Sequence, residues 1–574
     1  MLARIWSCAL TGLEGEIVQV EVDIHHGLPA TTIVGLPDAA VRESKDRLYA
    51  ALRNAGFAYP MARITVNLAP ADVRKAGPAY DLPIALGILM ASEQLDADLS
   101  DAIVVGEMAL DGALRATQGI LPIVQAARSR GFKRVLVPAD NAAEAALVMG
   151  RAVMGAAHIV DLVRHLVGGR PLPIAIAPAL TADPPPEGMD MALVRGQEQA
   201  RRALEIAAAG GHNLLFSGPP GSGKTMLARC LPGILPPLTL DEALEVTAVY
   251  SVAGLLSPET PLIRSRPFRS PHHTISAAGL IGGGTWPGPG EVSKAHHGVL
   301  FLDELPEFDA RILEVLRQPL EDRHVTIARA AGAATFPASF TLVAARNPCP
   351  CGHHGDPGQA CSCGPGAVQR YQQRISGPLL DRIDMHVEVP RVDHARLLDA
   401  TPAEGSAAVR ARVMAARLLQ QRRLERAAWE AAAGDGTVDR EAVDGETGET
   451  PASRAAGLAG RTVAAGEGPA TPRRPGRMAR ATPATRLPPR QRQRPTAPRC
   501  NSEMGPAEIR AHCHLTPEAL ELMQAGLRQL RLSARAYYRV LKLARTIADL
   551  EAETEIQAAH LAEALQYRPR TGEG

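Results

Sequence analysis

Strand-like apolar runs alternate with helical stretches in the first part of this 574-residue chain. The runs IVQVEVDI, RITVNL and AIVVGE are rich in β-branched residues, and the stretches 38–54 and 119–130 have apolar positions at helical spacing. This alternation predicts an α/β or α+β domain over residues 1–168. A proline-rich segment follows and predicts a linker over 169–189.

Apolar strands and helices alternate again over residues 190–398, which is the pattern of a parallel sheet covered by helices. Residues 399–428 and 500–567 have a helical pattern. Between them, residues 429–499 show almost no apolar periodicity, with an acidic first half and a second half rich in arginine and proline. We expect a disordered insertion there. Its basic half fits either a nucleic-acid contact or a solvated tail, and the pattern does not decide between them.

Composition adds few constraints on function. The net charge of +1 favours no particular partner, so any nucleic-acid affinity must come from local patches. No apolar run reaches the roughly 18 residues that a membrane span requires, and the first residues lack the pattern of a signal peptide. We therefore expect a cytoplasmic protein without membrane contact, in which the scattered cysteines are reduced thiols.

The segment NLLFSGPPGSGKT at 213–225 carries the strongest chemical signal in the chain. An apolar strand leads into a G-x-x-x-x-G-K-T loop, and a helix begins there. The glycines let backbone amides approach phosphate oxygens, the helix N-terminus adds its dipole, and the lysine and threonine suit the β- and γ-phosphates and magnesium. The predicted nucleotide-binding residues are Gly218, Pro219, Pro220, Gly221, Ser222, Gly223, Lys224 and Thr225.

A second apolar strand, GVLFLDE at 298–304, ends in two carboxylates. Asp303 is predicted to bind magnesium through water, and Glu304 to polarise the attacking water as general base. The structural alternative is a buried strand capped by carboxylates, and the preceding phosphate loop argues against it.

Two other polar residues occupy positions suited to ATP hydrolysis. Asn347 comes just after the strand FTLVAA, where a polar side chain can orient the attacking water. Arg382 follows a helix; alone it indicates a salt bridge, but in a ring of ATPase subunits it can reach a neighbour's γ-phosphate. Arg535 lies near the start of an amphipathic helix at 532–551, and by itself it is an ordinary helix arginine.

Four of the eight cysteines lie in a Gly-rich loop at 347–366 as two C-x-C pairs. A Cys₄ zinc site needs four thiolates at one point, and C-x-C is less typical of it than C-x-x-C. Structural zinc is the leading interpretation, with free thiols and disulfides as alternatives, and a reducing compartment argues against disulfides. The candidate ligands are Cys349, Cys351, Cys361 and Cys363.

Together these features resemble an AAA+ ATPase in the branch of the magnesium-chelatase I subunit and the MCM helicases, and they resemble most closely the ComM/YifB group of magnesium-chelatase-like proteins. The segments that carry the resemblance include VGLPDAAVRESKDRLYAAL, DLPIALGIL, GPPGSGKT, FRSPHHTIS, PGEVSKAHHGVLFLDELPEF, LVAARNPCPCG, RISGPLLDRID and LSARAYYRVLKLARTIADLE. The resemblance implies a Lon-protease-like N-terminal domain, an AAA+ core and a helical C-terminal lid. It also implies that Asn347 is sensor 1, Arg382 a trans-acting arginine finger and Arg535 the sensor 2 arginine.

The resemblance further implies two inserted hairpins, one within 264–294 and one at 329–337. In helicases of this branch such hairpins line a central pore and grip DNA, which needs cations at the phosphates. The alternative is that several of these cations pair with carboxylates. The candidate DNA contacts in the first hairpin are Arg264, Arg266, Arg269, His272, His273 and Lys294.

Lon proteases use a Ser–Lys dyad in which the lysine activates the serine. At the positions that align with this dyad the chain has Ala79 and Leu121, and neither side chain can do that chemistry. We therefore expect no peptidase activity, and we interpret residues 1–168 as a binding or assembly module.

The resemblance implies a ring-forming, hexameric motor that uses ATP and magnesium and acts on single-stranded or branched DNA, promoting branch migration in homologous recombination and natural transformation. Zinc is an additional predicted cofactor. Two alternatives stay open: a chelatase-type ATPase that remodels a protein partner, and a scaffold that uses ATP only to assemble.

Overall fold

The computed structural model describes residues 2–177, 188–284, 287–329, 332–392, 403–434, 498–530 and 532–568. By its internal contacts the chain divides into two units, one formed by Met1–Arg422 with Pro498–Gly574 and one by Arg423–Ala497. The insertion predicted at 429–499 lies outside the described residues except at its ends, as does the middle of the linker predicted at 169–189.

A mixed sheet of seven strands underlies the N-terminal part of the chain. The strands and helices of this part are β1 (Leu2–Thr11), β2 (Glu14–His25), β3 (Ala30–Val34), α1 (Ala39–Asn54), β4 (Arg63–Ala69), α2 (Asp81–Ala91), β5 (Ala102–Val104), β6 (Glu107–Met108), β7 (Leu114–Arg115), α3 (Ile120–Ser129), β8 (Arg134–Pro138), α4 (Ala142–Met149), β9 (Val153–Ala156) and α5 (Ile159–Leu166). The sheet order is β3-β4-β2-β1-β5-β8-β9, with β2 antiparallel to both of its neighbours and the other pairs parallel.

Local sequence explains why these elements pack as they do. Alternate residues of β2, namely Val18, Val20 and Val22, are fully buried, as expected for a strand with one covered face. Helix α2 is apolar on all sides and almost wholly buried, because it lies across β1 and β2 within the core. Asp38 caps helix α1 by accepting a 2.8 Å hydrogen bond from the Val41 amide.

The second sheet has five strands, all parallel, in the order β11-β14-β17-β10-β18. The elements of this part are α6 (Glu198–Gly210), β10 (Leu214–Ser217), α7 (Lys224–Ile234), α8 (Leu240–Val252), β11 (Phe268–Arg269), α9 (Ala277–Ile281), β12 (Gly282–Gly283), β13 (Gly288–Pro289), α10 (Glu291–Lys294), β14 (Val299–Leu302), α11 (Ala310–Val315), α12 (Arg317–Asp322), β15 (His324–Arg329), β16 (Gly332–Pro337), β17 (Thr341–Arg346), α13 (Pro365–Gln372), α14 (Gly377–Leu380) and β18 (Met385–Glu388). A mixed α/β chain with a parallel-sheet core is therefore what the alternating pattern over 190–398 produces.

Two short antiparallel hairpins project from this part of the chain. The β12–β13 hairpin lies inside the predicted range 264–294 and is only two residues long on each strand. The β15–β16 hairpin pairs His324 with Pro337, so it begins five residues before the range predicted at 329–337. Strand β15 alternates exposed residues with the buried Val325 and Ile327, as expected for a strand with one covered face.

The remaining helices follow the second sheet. They are α15 (Ser406–Gly434), α16 (Pro506–His512), α17 (Pro517–Gln529), α18 (Ala534–Leu550) and α19 (Ala558–Gln566). Helix α15 continues six residues beyond the predicted end at 428, because alanines keep the helical propensity high there. Helix α18 is amphipathic and buries Val540, Leu543 and Ile547 along one face.

Candidate nucleotide site and cysteine cluster

The predicted phosphate loop connects the carboxyl end of β10 to helix α7. Gly221 and Gly223 have φ values of 76° and 93°, a left-handed region that residues with a side chain rarely adopt. Gly223 is also the N-cap of α7, so the free amides of the first helical turn point toward the loop. The loop therefore has the backbone form that an anion-binding turn requires.

Lys224 is buried within this loop. Its Nζ donates to the carbonyl oxygens of Gly218 and Pro219 at 2.8 and 2.9 Å, and it lies 3.3 Å from Asn347 Oδ1. Burial lowers the pKa of the Lys224 ammonium, while the neighbouring Asp303 acts in the opposite direction. The ammonium is thus held by dipoles at the point where a phosphate would bring negative charge.

Thr225 and Asp303 meet across the site. The Thr225 hydroxyl donates to Asp303 Oδ2 at 2.8 Å. A hydroxyl and a carboxylate are the hard oxygen donors that magnesium prefers, so this pair fits the predicted metal.

Glu304 has an unusual backbone conformation beside this pair. Its φ of 51° places a non-glycine residue in the left-handed region, and its amide donates to Asp303 Oδ1 at 2.9 Å. The exposed carboxylate lies 3.6 Å from Nδ1 of His273. The sequence predicts His273 as a DNA contact and does not reveal this pairing, because His273 and Glu304 are 31 positions apart.

The sheet order explains why these residues converge. Strand β17, which ends just before Asn347, lies between β10 and β14. In a parallel sheet the carboxyl ends of all strands share one edge, so the loops after the three strands come together. The structure thus brings Lys224, Thr225, Asp303 and Asn347 together as the motifs predicted.

Arg382 and Arg535 lie elsewhere. Arg382 comes just before β18, and the neighbouring Asp384 accepts a hydrogen bond from the Asn213 amide at the amino edge of the sheet. The side chain of Arg382 is 7% exposed. It donates to the Pro378 carbonyl and lies 2.6 Å from Glu321 Oε1. Arg535 is exposed in the first turn of α18. Neither arginine has a described contact with the phosphate loop of its own chain.

The six cations predicted within 264–294 all lie outside the short β12–β13 hairpin, and three of them pair with carboxylates inside the protein. Arg266 donates to the Pro236 and His297 carbonyls and pairs with Glu242 at 3.1 Å. The Arg269 guanidinium donates two hydrogen bonds, of 2.6 and 2.9 Å, to the Glu291 carboxylate. Lys294 Nζ lies 3.3 Å from the same carboxylate. The carboxylate-pairing interpretation therefore applies to these three, and they have structural roles.

The four loop cysteines form one cluster. All of their sulfur atoms lie within 4.8 Å of one another, and Cys349 Sγ is 3.4 Å from that of Cys351 and 3.7 Å from that of Cys361. Sulfur atoms bound at about 2.3 Å to a tetrahedral zinc ion lie about 3.8 Å apart, so the cluster has the right size. None of the eight cysteines forms a disulfide.

Backbone amides surround these sulfur atoms. The His354 amide donates to Cys349 Sγ at 3.3 Å, and the Cys363 amide donates to Cys361 Sγ at 3.4 Å. Amides of His353 and Ser362 lower the pKa of the Cys351 thiol to about 5, whereas burial and the neighbouring thiols raise the pKa of Cys361 and of Cys363 despite an amide donor to each. Donors of this kind stabilise thiolates, which are the form that binds a metal, so the donor set fits zinc.

The positions aligned with a Lon dyad are in the N-terminal core. The Ala79 carbonyl accepts a 2.9 Å hydrogen bond from the Gly106 amide. Leu121 is fully buried, and its amide donates at 2.8 Å to the buried carboxylate of Glu144. That carboxylate also accepts a 2.5 Å hydrogen bond from Ser251 of α8, which joins the two sheets' helices.

Known proteins are similar to this chain over most of its length. A family profile described as "Magnesium chelatase, subunit ChlI" matches residues 190–397, and related ChlI profiles match 20–141 and 477–568. Competence protein ComM of Haemophilus influenzae is 40% identical over 99% of this chain and 97% of its own length. The chain belongs to the ComM/YifB family of magnesium-chelatase-like proteins.

Other members of the family extend this relationship. The Escherichia coli protein YifB is 39% identical over 99% of this chain and 97% of its own, and an uncharacterised Mycobacterium tuberculosis protein is 49% identical over 72% and 81%. Lon protease 2 of Bacillus subtilis is 33% identical over 23% of this chain and 25% of its own. Membership of a magnesium-chelatase-like AAA+ family indicates ATPase activity. Among the described helices, none combines the length and apolar composition that crossing a bilayer requires.

Proposed function

We propose that this protein is a ring-forming, hexameric motor that hydrolyses ATP with magnesium and moves on DNA, promoting branch migration of recombination intermediates. The observation that supports ATP hydrolysis is the convergence of Lys224, Thr225, Asp303 and Asn347 at one edge of the parallel sheet. The DNA part draws on the family relationship to a competence protein.

Each residue of the site has a proposed role. Lys224 neutralises the β- and γ-phosphates, and the amides of the loop bind their oxygens. Thr225 and Asp303 hold magnesium, which would supply charge neutralisation at the transferred phosphoryl group. Glu304 takes the proton of the attacking water, and Asn347 orients that water.

The positions of the two arginines agree with a ring. Arg382 lies at the opposite edge of the sheet from the phosphate loop, and Arg535 is exposed in the first turn of α18. We propose that Arg382 acts in trans as an arginine finger on a neighbour's nucleotide, and that Arg535 is the sensor 2 arginine.

The β15–β16 hairpin is the better candidate for DNA contact. Its exposed face carries His324, Arg329 and a pair of threonine hydroxyls, Thr326 and Thr335, that lie 3.1 Å apart. A cation with neighbouring hydroxyl donors suits the phosphate backbone. By contrast, three of the cations predicted within 264–294 already pair with carboxylates, namely Arg266, Arg269 and Lys294.

We further propose that the cysteine cluster holds one structural zinc ion. Four protein thiolates leave no open coordination position, so the ion would stabilise the loop rather than take part in chemistry. Elemental analysis of protein never exposed to a chelator should find about one zinc per chain. A metal content near zero in folded protein contradicts this assignment.

A chelatase-type ATPase that remodels a protein partner is the second candidate function. It is favoured by the match of residues 190–397 to the ChlI subunit profile. Under this alternative the same nucleotide site would operate, but its turnover would respond to a protein rather than to DNA.

The test is the steady-state ATPase rate without DNA and with single-stranded DNA, duplex DNA and a four-way junction. Strong stimulation by DNA, greatest with the junction, is the expected result. A measurable rate that no DNA changes would reject the DNA motor and favour the chelatase-type alternative. A protein with no ATPase activity under any condition would contradict both.

A further inference from the structure

The cysteine loop touches the phosphate loop at one point of very close approach. Gly352 lies between the second and third cysteines, is buried, and has a φ of 84°. A Cβ at this position would lie 2.4 Å from Cδ and 2.6 Å from Cγ of Pro220 in the phosphate loop. Carbon atoms in contact lie about 3.5 Å or more apart, so only glycine fits here without displacing the proline by about 1 Å.

Other contacts fix the cysteine loop against the nucleotide site. Cys349 is fully buried two residues after Asn347, and Gln372 donates to the Pro348 carbonyl at 3.3 Å. On the far side, the buried carboxylate of Asp356 pairs with Arg391 at 3.2 Å. Arg391 follows the segment in which Val389 donates to Ser217, the last residue before the phosphate loop. The cysteine loop is therefore attached on both sides of the strand ends that form the site.

We propose that the cysteine cluster positions the phosphate loop through the Gly352–Pro220 contact, so that nucleotide affinity depends on the metal-bound form of the cysteine loop. This inference rests on the proposed nucleotide and zinc sites, and it assigns to Gly352 a positioning role rather than a catalytic one.

The physical reason is that the hydrogen bonds of Lys224 hold the start of the phosphate loop at Gly218 and Pro219, whereas the described contacts at Pro220 and Gly221 are few. Gly221 and Gly223 have open space around them, with no atom within 4 Å of a Cβ built on either residue. Pro220 is exposed apart from its contact with Gly352. A tetrahedral metal site fixes the relative positions of its four ligands, and the turn between Cys351 and Cys361 then supports the proline ring from one side.

The chain offers a matched pair of substitutions. Gly352→Ala and Gly355→Ala both place alanine at a left-handed position, with φ values of 84° and 77° in the same loop. A Cβ at residue 355 has no atom within 4 Å, whereas one at 352 meets Pro220. The two variants carry similar backbone strain, and only Gly352→Ala displaces the phosphate loop.

The experiment measures the Kd of a fluorescent ATP analogue, with magnesium, for the full-length chain, together with its zinc content. We expect Gly352→Ala to weaken binding about tenfold or more, since a shift of about 1 Å at a binding group has effects of this order. Gly355→Ala should change the Kd by less than about threefold, and both variants should keep the zinc content of the unchanged protein. Equal Kd values for the two variants would overturn the proposal.

Two further measurements decide the outcome even if Gly352→Ala folds poorly. Pro220→Ala removes both ring atoms that the new methyl group meets, so the double variant should bind nucleotide as Pro220→Ala alone does. Zinc can be removed from the unchanged protein with a zinc-selective chelator, after which the chelator is removed and magnesium is added. This treatment should weaken nucleotide binding by a similar factor, and added zinc should restore it. Unchanged nucleotide affinity after full zinc removal would refute the metal dependence.

Failure of this inference can be told apart from failure of the proposed function. Lys224→Ala should abolish nucleotide binding whatever the cysteine loop does. If the unchanged protein binds the analogue and Lys224→Ala does not, the nucleotide site stands, and the Gly352→Ala result concerns only the contact. If the unchanged protein does not bind the analogue, the proposed function itself fails.

Discussion

The two sheets of this protein treat buried polar groups in opposite ways. In the N-terminal part, Asp81 at the start of helix α2 is fully buried, and its carboxylate is saturated by Arg47, Ser44 and the Met108 amide. At the carboxyl edge of the second sheet, the hydrogen bonds that Lys224 makes to described residues go to two carbonyl oxygens and one amide oxygen, and burial lowers its pKa. Internal saturation stabilises a fold, whereas polar groups left for a ligand make a site.

The same contrast appears at the level of single positions. Where a Lon dyad would stand, the chain has Ala79 and Leu121, whose backbone groups are bonded within the core. Where an ATPase needs a base, Glu304 is exposed and its backbone is in the left-handed region. Residues 1–168 therefore lack the side chains that a Ser–Lys dyad requires at the aligned positions, whereas the second sheet carries an exposed carboxylate after β14.

The largest expected effect that tests this contrast is at Glu304. Glu304→Gln keeps the side-chain shape but cannot accept the proton of the attacking water, so kcat should fall by about 10²–10⁴ while nucleotide binding is retained. Steady-state turnover and the Kd of a fluorescent ATP analogue measure the two quantities separately. Turnover close to that of the unchanged protein would remove Glu304 from the role of general base.

The next largest effect is on stability and concerns the buried, fully hydrogen-bonded carboxylate of Asp81 in helix α2. Asp81→Ala leaves Arg47 without its carboxylate in a largely buried place, so the free energy of unfolding should fall by about 2–3 kcal/mol. Urea unfolding gives this value. As a control on helix α1, which carries Arg47, Arg53→Ala removes an exposed contact with Tyr49 and should cost less than about 0.5 kcal/mol. Similar losses for both variants would show that Asp81 is not a stabilising centre.

A smaller effect on DNA affinity should distinguish the β15–β16 hairpin from the cations predicted within 264–294. Arg329→Ala is expected to weaken DNA binding about fivefold and to reduce the magnitude of the salt dependence by about one phosphate contact. Arg269→Ala removes a partner of Glu291, so it should lower the melting temperature and leave the salt dependence of DNA binding unchanged. If Arg269→Ala weakened DNA binding and reduced its salt dependence while Arg329→Ala did not, the DNA contact would be assigned to residues 264–294 instead.

The smallest effect concerns Glu144, which joins the helices of the two sheets. Burial raises the pKa of its carboxyl in the folded protein, although Ser251 and the Leu121 amide oppose the shift. A raised folded-state pKa means that this group stabilises the fold most at low pH, and that the contribution is lost as pH rises through the folded-state value. Glu144→Gln lacks this dependence, so its melting temperature relative to the unchanged protein should rise with pH. A pH-independent difference would contradict the buried-carboxyl explanation.

Much of the nucleotide site was predictable because its residues are adjacent in sequence. The glycines, Lys224 and Thr225 form one continuous motif, and each acid or amide partner follows an apolar strand whose end must lie at the same edge of a parallel sheet. The helices predicted at 38–54 and 119–130 are present as α1 and α3 for a similar reason, since local periodicity decides them.

Contacts between distant segments were not predictable in this way. The sequence marks Arg266, Arg269 and Lys294 as equal candidates for DNA contact, because it shows their charge but not the carboxylates that face them. It shows Gly352 as one glycine in a glycine-rich loop, and only the fold places Pro220 against it.

By itself, then, the sequence determined the phosphate loop, the strand-borne acid and amide residues, the cysteine spacing and the family, since each is a pattern of near neighbours. Tertiary structure alone decided which cations are already neutralised, that Arg382 lies at the edge opposite the phosphate loop, that His273 faces Glu304, and that Gly352 of the cysteine loop packs against Pro220. The physical reason is that pairing and close packing depend on distances between segments far apart in the chain, and those distances exist only once the chain has folded.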